Sequence, residues 1–362
     1  MDVVLVGGGT RPIPPPGWGA VERAIDGLAR GLRNLGIHVQ IVNRVRRQRA
    51  VDEYRFAAEV ARDLRQIEYD VIHASTPVVG NALAFWGLDY VYTSHSRHWT
   101  GPTRLTERFG HYLERRACRL ARRTIALNEQ VAEQMVRTGS VMSPTQIRVI
   151  PNGVDVGTYH PDWSSRTGRR ILGVGAIHPR KRWHVAVRAV AGLPNIELRL
   201  VGPIQDRAYA ESLRTLAGST ALTLVGEVGD LELVREYAQA DLLVHPSHSE
   251  LQSIAVLEAM ASGLPVIGSE VLRPQVPAPG VGTLIPRGVP EPREVEMVRH
   301  ALQDWLFDDS RRRLAAAEGR AYVARNHSWE VVAGQVSEVY REVMALSRRR
   351  PRPPRGSRPA LS

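Results

Sequence analysis

Residues 245–267, HPSHSELQSIAVLEAMASGLPVI, decide how this chain is read. The pattern is strand, loop, helix and strand, with Glu250 in the loop and Glu258 inside the helix. Leu257, Met260 and Ala261 can face a core, and Ile254 and Val256 widen the apolar stripe. Packing requires neither acid. Eight residues of helix rise about 12 Å, and part of the span between the two acids is loop. Two carboxylates that cut one glycosidic bond face each other about 5–10 Å apart. Glu250 and Glu258 are better suited to hold different parts of one long ligand, which points to transfer rather than hydrolysis.

The same alternation extends outward in both directions. Toward the N-terminus, strands are expected at Ile171–Ala176, Ile196–Val201, Ala221–Val225 and Leu242–His245, and beyond the helix another at Pro265–Gly268. Helices fill the gaps near 183–191, 208–217, 230–239 and 253–262. An earlier series has strands at Val3–Val6, His38–Val42, Asp70–His73, Tyr90–Thr93 and Thr124–Leu127, with helices at 20–35, 51–66 and about 103–122. Residues 151–169, rich in Pro, Gly, Ser and Asp, separate the two series. A last helix runs from Ser328 to about 347, and the Pro/Arg-rich tail that follows is expected to be disordered. Repeated βαβ units imply parallel sheets, so the fold class is α/β with two Rossmann-like halves and a cleft between the carboxyl ends of their strands. The expected domains are 1–160 completed by the helix 328–347, then 161–327, with 348–362 as a basic tail.

Composition sets outer bounds. The 362 residues suffice for two domains, and 43% hydrophobic with 23% charged residues describes a globular chain. No apolar run approaches the roughly 20 residues of a membrane span. The start, Met1-Asp-Val-Val-Leu-Val-Gly7, reads as a first strand rather than a signal peptide. With Cys118 as the only cysteine, no intrachain disulfide forms, and a cytoplasmic location is expected. Lys and Arg number 48 against 37 Asp and Glu, a formal charge of +11 that favours anionic partners.

Arg180-Lys181-Arg182 follows the strand at 171–177 directly, where cations can stabilise a departing diphosphate. A solvated basic cluster would look the same. Its pairing with the Glu250/Glu258 segment favours the ligand-facing reading. Ser247, Ser249 and Ser253 lie at the start of the helix bearing Glu258, where backbone N–H groups can seat an anion or be capped by Ser249 or Ser253. Gly17-Trp-Gly-Ala-Val-Glu-Arg23 offers a close backbone approach at the first loop-to-helix junction, although such loops are often simple turns. His95 ends another strand, with His73 and His98 as competitors for any role. Gly7-Gly-Gly9 and Gly173-Val-Gly175 do not complete a dinucleotide fingerprint, and no P-loop, nucleophile elbow or zinc spacing is present.

Taken together, the Glu250/Glu258 segment, Arg180-Lys181, Pro151-Asn-Gly-Val-Asp155 and the loop Pro14-Pro-Pro-Gly-Trp-Gly-Ala-Val-Glu-Arg23 resemble the retaining glycosyltransferases of family 4, in the expected order from about residue 1 to 346. The resemblance implies the GT-B architecture, two Rossmann-like domains facing across a cleft, and a metal-independent hexosyltransferase without cofactor. It implies that Arg180 and Lys181 neutralise the diphosphate of a UDP- or GDP-sugar. Glu258 would hold the ribose and Glu250 the donor sugar, with backbone support from Gln252, Ser253 and Ile254. Gly17 and Gly19 would line the diphosphate, and His95 would lie by the sugar. Retention in the family is ascribed to same-face attack assisted by the leaving phosphate. The chain departs from the family pattern at Leu251-Gln252-Ser253, where Gly-Phe-Gly is usual, at Ala20, and at Arg273–Pro279.

The expected acceptor is a glycan, a lipid-linked sugar or a small molecule, in a role such as cell-envelope or polysaccharide synthesis. The helix near 103–122 sets Leu105, Phe109, Leu113 and Leu120 among six arginines, so it either docks on anionic lipid at the inner face of the cytoplasmic membrane or packs on the core with a solvated basic face. The competing readings are a non-catalytic or nucleic-acid-binding basic protein and a sugar-nucleotide epimerase. Nucleic acid is not the expected partner, because aromatics make up only 6% and no such motif appears.

Overall fold

The computed structural model describes residues 1–45, 50–95, 108–277 and 279–347. Contacts divide the chain into two compact units. The first holds Met1–Pro15, Gly19–Gly153 and the helix from Trp329; the second holds Pro16–Trp18 and Val154–Ser328. The break falls at Gly153/Val154 rather than at residue 160. Val154 pairs with Ser328 in a parallel bridge, and both Val154 and Tyr159 pack in the second unit's core.

In the first unit the order is β1 (Asp2–Val6), α1 (Ala20–Asn34), β2 (His38–Val42), α2 (Ala50–Leu64), β3 (Val71–Ala74), α3 (Pro77–Phe85), β4 (Val91–Thr93), α4 (Arg108–Leu120), β5 (Arg123–Ala126), α5 (Glu129–Arg137) and β6 (Ile147–Val149). Its parallel sheet has the order β2-β1-β3-β4-β5-β6, with Val3 opposite Val39 on one side and Val71 on the other. Val3, Leu5 and Val71 join one core. Val4 and Val6 point to the opposite face by strand alternation and are equally buried, at 3% and 0% exposure. A sheet covered on both faces gives apolar runs rather than alternation, which is why VVLV is legible as a strand.

The second unit continues with β7 (Arg170–Val174), α6 (Trp183–Val190), β8 (Glu197–Val201), α7 (Arg207–Ala217), β9 (Ala221–Gly226), α8 (Asp230–Gln239), β10 (Leu242–His245), α9 (Ile254–Ala261), β11 (Val266–Ser269), β12 (Gly282–Ile285), α10 (Glu291–Leu306) and α11 (Asp309–His327). Its parallel sheet runs β12-β11-β10-β7-β8-β9. Alternation again splits neighbours: Ile171, Leu198 and Val244 pack with Trp183 and Trp305, whereas Leu172, Val201 and Leu243 pack with Tyr237 and Met260.

The final helix, α12 (Trp329–Ser347), returns to the first unit and lays Val332, Val336 and Tyr340 into the core shared with α1. Two glycines one turn apart on α1 permit this. A Cβ on Gly27 would stand 2.1 Å from the Trp329 ring, and one on Gly31 would stand 2.5 Å from the Trp329 carbonyl oxygen. Residues 103–107 of the expected basic helix and the tail beyond 347 lie outside the described residues. Among the described residues no helix is long and apolar enough to cross a membrane.

Gly31→Ala forces a side chain against backbone and is expected to cost about 1–3 kcal/mol. A thermal midpoint equal to that of the wild type would show that α12 does not need this close approach.

Candidate active site

Strand order in the second sheet reverses between β7 and β10. In α/β sheets the crevice outside the carboxyl ends at such a reversal is the usual ligand position. Two loops leave there. The loop after β7 contains a 3₁₀ turn at Pro179–Lys181, and the loop after β10 leads through Glu250 to α9.

These loops meet at one carboxylate. Lys181 Nζ donates to Glu250 Oε1 at 2.5 Å, and His245 Nε2, at the end of β10, lies 3.1 Å from the same oxygen. The three side chains are 15%, 13% and 0% exposed. Burial pushes the Glu250 carboxyl up, but Lys181 and His245 outweigh it and hold the group well below the usual carboxylate range. The His245 pKa is lowered, by burial first and by Lys181 in addition, against the opposing pull of Glu250. The imidazole is therefore neutral, and because ionised Glu250 only accepts, Nε2 carries the proton and donates.

The start of α9 is fixed from an unexpected direction. Ser253 is the N-cap residue, but its side chain makes no capping hydrogen bond. Buried Gln275 instead accepts the Ser253 N–H at 2.9 Å and donates to the Ser253 carbonyl at 3.0 Å. This gives a role to the departing segment Arg273–Pro279. Ser269 Oγ likewise donates to the Ser247 carbonyl at 2.6 Å. Glu258 is buried on α9, where Oε2 accepts from Tyr237 OH at 2.8 Å.

Of the residues singled out in the sequence, Lys181 and Glu250 are brought into direct contact. Arg180 is exposed, and the guanidinium that packs beside this loop is that of Arg182 instead. Gln252 and Ile254 are half-buried and Ser253 is buried. Sequence reasoning gave no role to His245, His248, Gln275 or Glu294, and named Arg182 only as the last member of the Arg180–Arg182 cluster. The two histidines sit in the quoted stretch itself, so their chemistry was visible there. Gln275 and Glu294 lie 22 and 46 residues from their partners Ser253 and His248 and carried no local signal.

Gly17 is buried in the short segment that groups with the second unit, where the Trp18 N–H donates to Glu227 Oε1 at 2.8 Å. Gly19, buried in the first unit, is the N-cap of α1. His95 follows β4 and lines a cavity of about 30 Å³ with His73, Thr93, Asn152 and Trp329. Burial lowers the His95 pKa to about 4, leaving a neutral ring near pH 7. His73 beside it is bridged between Tyr340 OH and Thr93 Oγ1, at 2.7 Å each, and is pulled down to about 3 by burial and by His95. Behind this edge Glu114 of α4 is fully buried, accepting from Ser94 Oγ at 2.5 Å and Tyr92 OH at 2.9 Å. Burial raises its pKa to about 7, partly offset by those two hydrogen bonds.

Comparison with known proteins identifies the family. The family model described as Glycosyltransferase Family 4 matches residues 19–158, and that of Glycosyl transferases group 1 matches 168–304. A D-inositol 3-phosphate glycosyltransferase of Nocardioides sp. is 30% identical over 328 residues, covering 76% of this chain and 68% of its own. A GDP-mannose-dependent alpha-mannosyltransferase of Corynebacterium glutamicum is 28% identical, covering 80% and 71%. Among solved structures, the sucrose-phosphate synthase of Thermosynechococcus elongatus matches with a TM-score of 0.81 at 21% identity, covering 95% of this chain and 99% of that one. Anabaena HepE in complex with UDP-glucose matches at 0.73 and 18%, covering 94% and 100%. The fold class is GT-B, and the protein is a glycosyltransferase. The chain belongs to glycosyltransferase family 4.

Glu114 makes the first unit's stability depend on pH. Its folded pKa lies above the ordinary 4.5, so between about 4.5 and 7 the folded state binds more protons than the unfolded one, and stability falls as pH rises through that window. Glu114→Gln should flatten this part of a stability–pH profile. An unchanged slope would place the titration elsewhere.

Proposed function

We propose that the protein is a retaining, metal-independent hexosyltransferase that moves a sugar from a UDP- or GDP-sugar to a glycan, lipid-linked or small-molecule acceptor. The observation that carries the reading is the Lys181–Glu250–His245 group at the strand-order reversal, next to an α9 start whose N-cap side chain makes no capping bond. A diphosphate and a polyol are the chemistry such a group recognises. Lys181 supplies a cation to the phosphates, with Arg180 on the same turn, and the first-turn N–H groups of α9 add partial positive charge. Ionised Glu250 accepts from sugar hydroxyls, and Glu258 accepts from the ribose. Gly17, in the short segment that groups with the second unit, lies along the diphosphate. The names of relatives that use GDP-mannose or inositol 3-phosphate support donors and acceptors of this kind.

In the proposed step the acceptor oxygen bonds to the anomeric carbon on the face from which the phosphate oxygen leaves. The acceptor proton passes to that leaving oxygen, so the charges balance without a protein nucleophile. Developing charge on the diphosphate is met by Lys181 and the α9 N–H groups. Cations placed in this way do the work a divalent metal does in other transferases, which supports metal independence.

We place the protein in the cytoplasm, in contact with the inner face of an anionic membrane through α4. On this helix the inward residues are Glu114, Ala117 and Cys118, while Phe109 and Tyr112 are 59% and 58% exposed and Leu120 is exposed too. Arg108, Arg115, Arg116 and Arg119 line an adjoining cavity of about 660 Å³ with Tyr112. Apolar rings among the exposed Arg108, Arg115 and Arg119 suit a lipid surface better than a solvated face.

A thermal-shift panel of UDP-, GDP- and ADP-sugars should find one donor class that stabilises the wild type, with the shift lost in Lys181→Ala and in Glu258→Ala. A shift that survives both substitutions would mean the donor pocket is misassigned. Flotation with acidic liposomes at low salt should recover the protein, and less of it after Phe109→Ser with Tyr112→Ser. No binding by the wild type would remove the membrane from the proposal.

A further inference from the structure

Arg182 adopts a left-handed backbone (φ 55°, ψ 35°), a region that is costly for any residue with a Cβ and open to glycine. It is the junction between the 3₁₀ turn that ends at Lys181 and α6, which starts at Trp183. Strain of this kind persists where the surroundings over-determine it. Here the side chain supplies the reason. Arg182 Nη2 donates to Glu294 Oε2 at 2.6 Å, and Nη1 lies 3.3 Å from His248 Nδ1. The other Glu294 oxygen accepts from His248 Nε2 at 2.8 Å. One tautomer of His248 satisfies both contacts, with Nε2 protonated and Nδ1 accepting from the guanidinium.

These three side chains close a ring that ties the loop after β7 to the loop after β10 through the first turn of α10. Arg182 follows Lys181 directly, and His248 precedes Glu250 by two residues. Glu294 is only 3% exposed, against 21% for Arg182 and 29% for His248, so the ring's anion is its most protected member. A second α10 carboxylate, Glu291, lies 3.7 Å from Arg182 and 3.2 Å from His184 and also pairs with Arg188, adding hold on the same loop and on α6. A first-turn acid suits the positive end of α10, but the helix dipole alone does not require the acid to be buried against two side chains from other loops.

We propose that Glu294 is a positioning residue of the donor site. By gripping Arg182 and His248 together it sets the spacing at which Lys181 meets Glu250. The proposal rests on the donor-site reading above, and it adds a residue far from both loops in sequence as the one that holds them in register.

The test uses the full chain and two readouts. Glu294→Gln keeps size and removes the charge. The double variant Arg182→Gly with Glu294→Gln leaves no unpaired charge and puts glycine at the left-handed position, so its thermal midpoint should stay near that of the wild type. Amide hydrogen exchange without any nucleotide should speed up at residues 178–183 and 246–252 in both variants. Affinity for UDP or GDP, whichever binds the wild type, should fall on the order of tenfold to a hundredfold, as expected for displaced binding groups. A residue that served stability alone would instead lower the midpoint of Glu294→Gln and leave the double variant's loops and affinity as in the wild type, which would overturn the proposal. Because exchange is read in the absence of nucleotide, it decides the role of Glu294 even where the donor-site reading itself fails.

Discussion

Glu250 Oε1 accepts from two donors that arrive from different strands, Lys181 beyond β7 and His245 at the end of β10. An ionised carboxylate withdrawn from water is unfavourable unless charge and hydrogen bonds compensate it, and removing one partner leaves the other exposed to the full penalty. The carboxylate can therefore stay ionised only while both loops keep their places. Its depressed pKa is the electrostatic expression of that requirement, since burial alone would move it upward. The arrangement also leaves the acid acceptor-only.

The sheet makes this convergence possible. β7 and β10 are adjacent and parallel, with Leu242 opposite Ile171 and Leu243 opposite Leu172, so their carboxyl ends open on the same edge although some 70 residues separate them. Both strands are buried on both faces, which fixes their register through two cores rather than one. The loops beyond are then held by side chains from outside the pair. Gln275 takes the Ser253 backbone, Ser269 takes the Ser247 carbonyl, and Glu294 takes Arg182 and His248. Rigid strands set the coarse position, and these hydrogen bonds set the fine one.

Most of the framework was legible in the sequence because buried parallel strands are short apolar runs bounded by turn residues. Ile171, Leu198 and Leu242 declared themselves in this way. Lys181 and Glu250 were legible from residue type and their places after strands, and the structure puts them in contact. The misses have separate physical causes. The helix α3, PVVGNALAF, is apolar nearly all round and offers no amphipathic period, and the buried side of α11 mixes Arg312 and His327 with Ala315, Ala316, Gly319 and Val323, so it shows no apolar stripe. α10 could have been found, because Val295, Val298, Leu302 and Trp305 recur at helical spacing. Arg182 was visible only as one cation of the Arg180–Arg182 cluster, because its separate role depends on a backbone turn whose guanidinium meets a glutamate 112 residues away.

The first unit shows the same logic turned inward. Glu114 lies on the buried side of α4, a helix whose apolar Phe109, Tyr112 and Leu120 are exposed, so the pattern runs opposite to that of a core-facing helix. The buried acid is tolerated because Ser94 and Tyr92 both donate to it and its raised pKa allows it to take up a proton near neutrality. That acid joins α4 to the end of β4, one residue before His95. The helix is thus fastened to the strand by polar bonds rather than by its large apolar side chains, and those side chains remain on the outer surface. An amphipathic helix whose inner face is satisfied by a carboxylate and small residues is free to present its rings and arginines to something other than its own core.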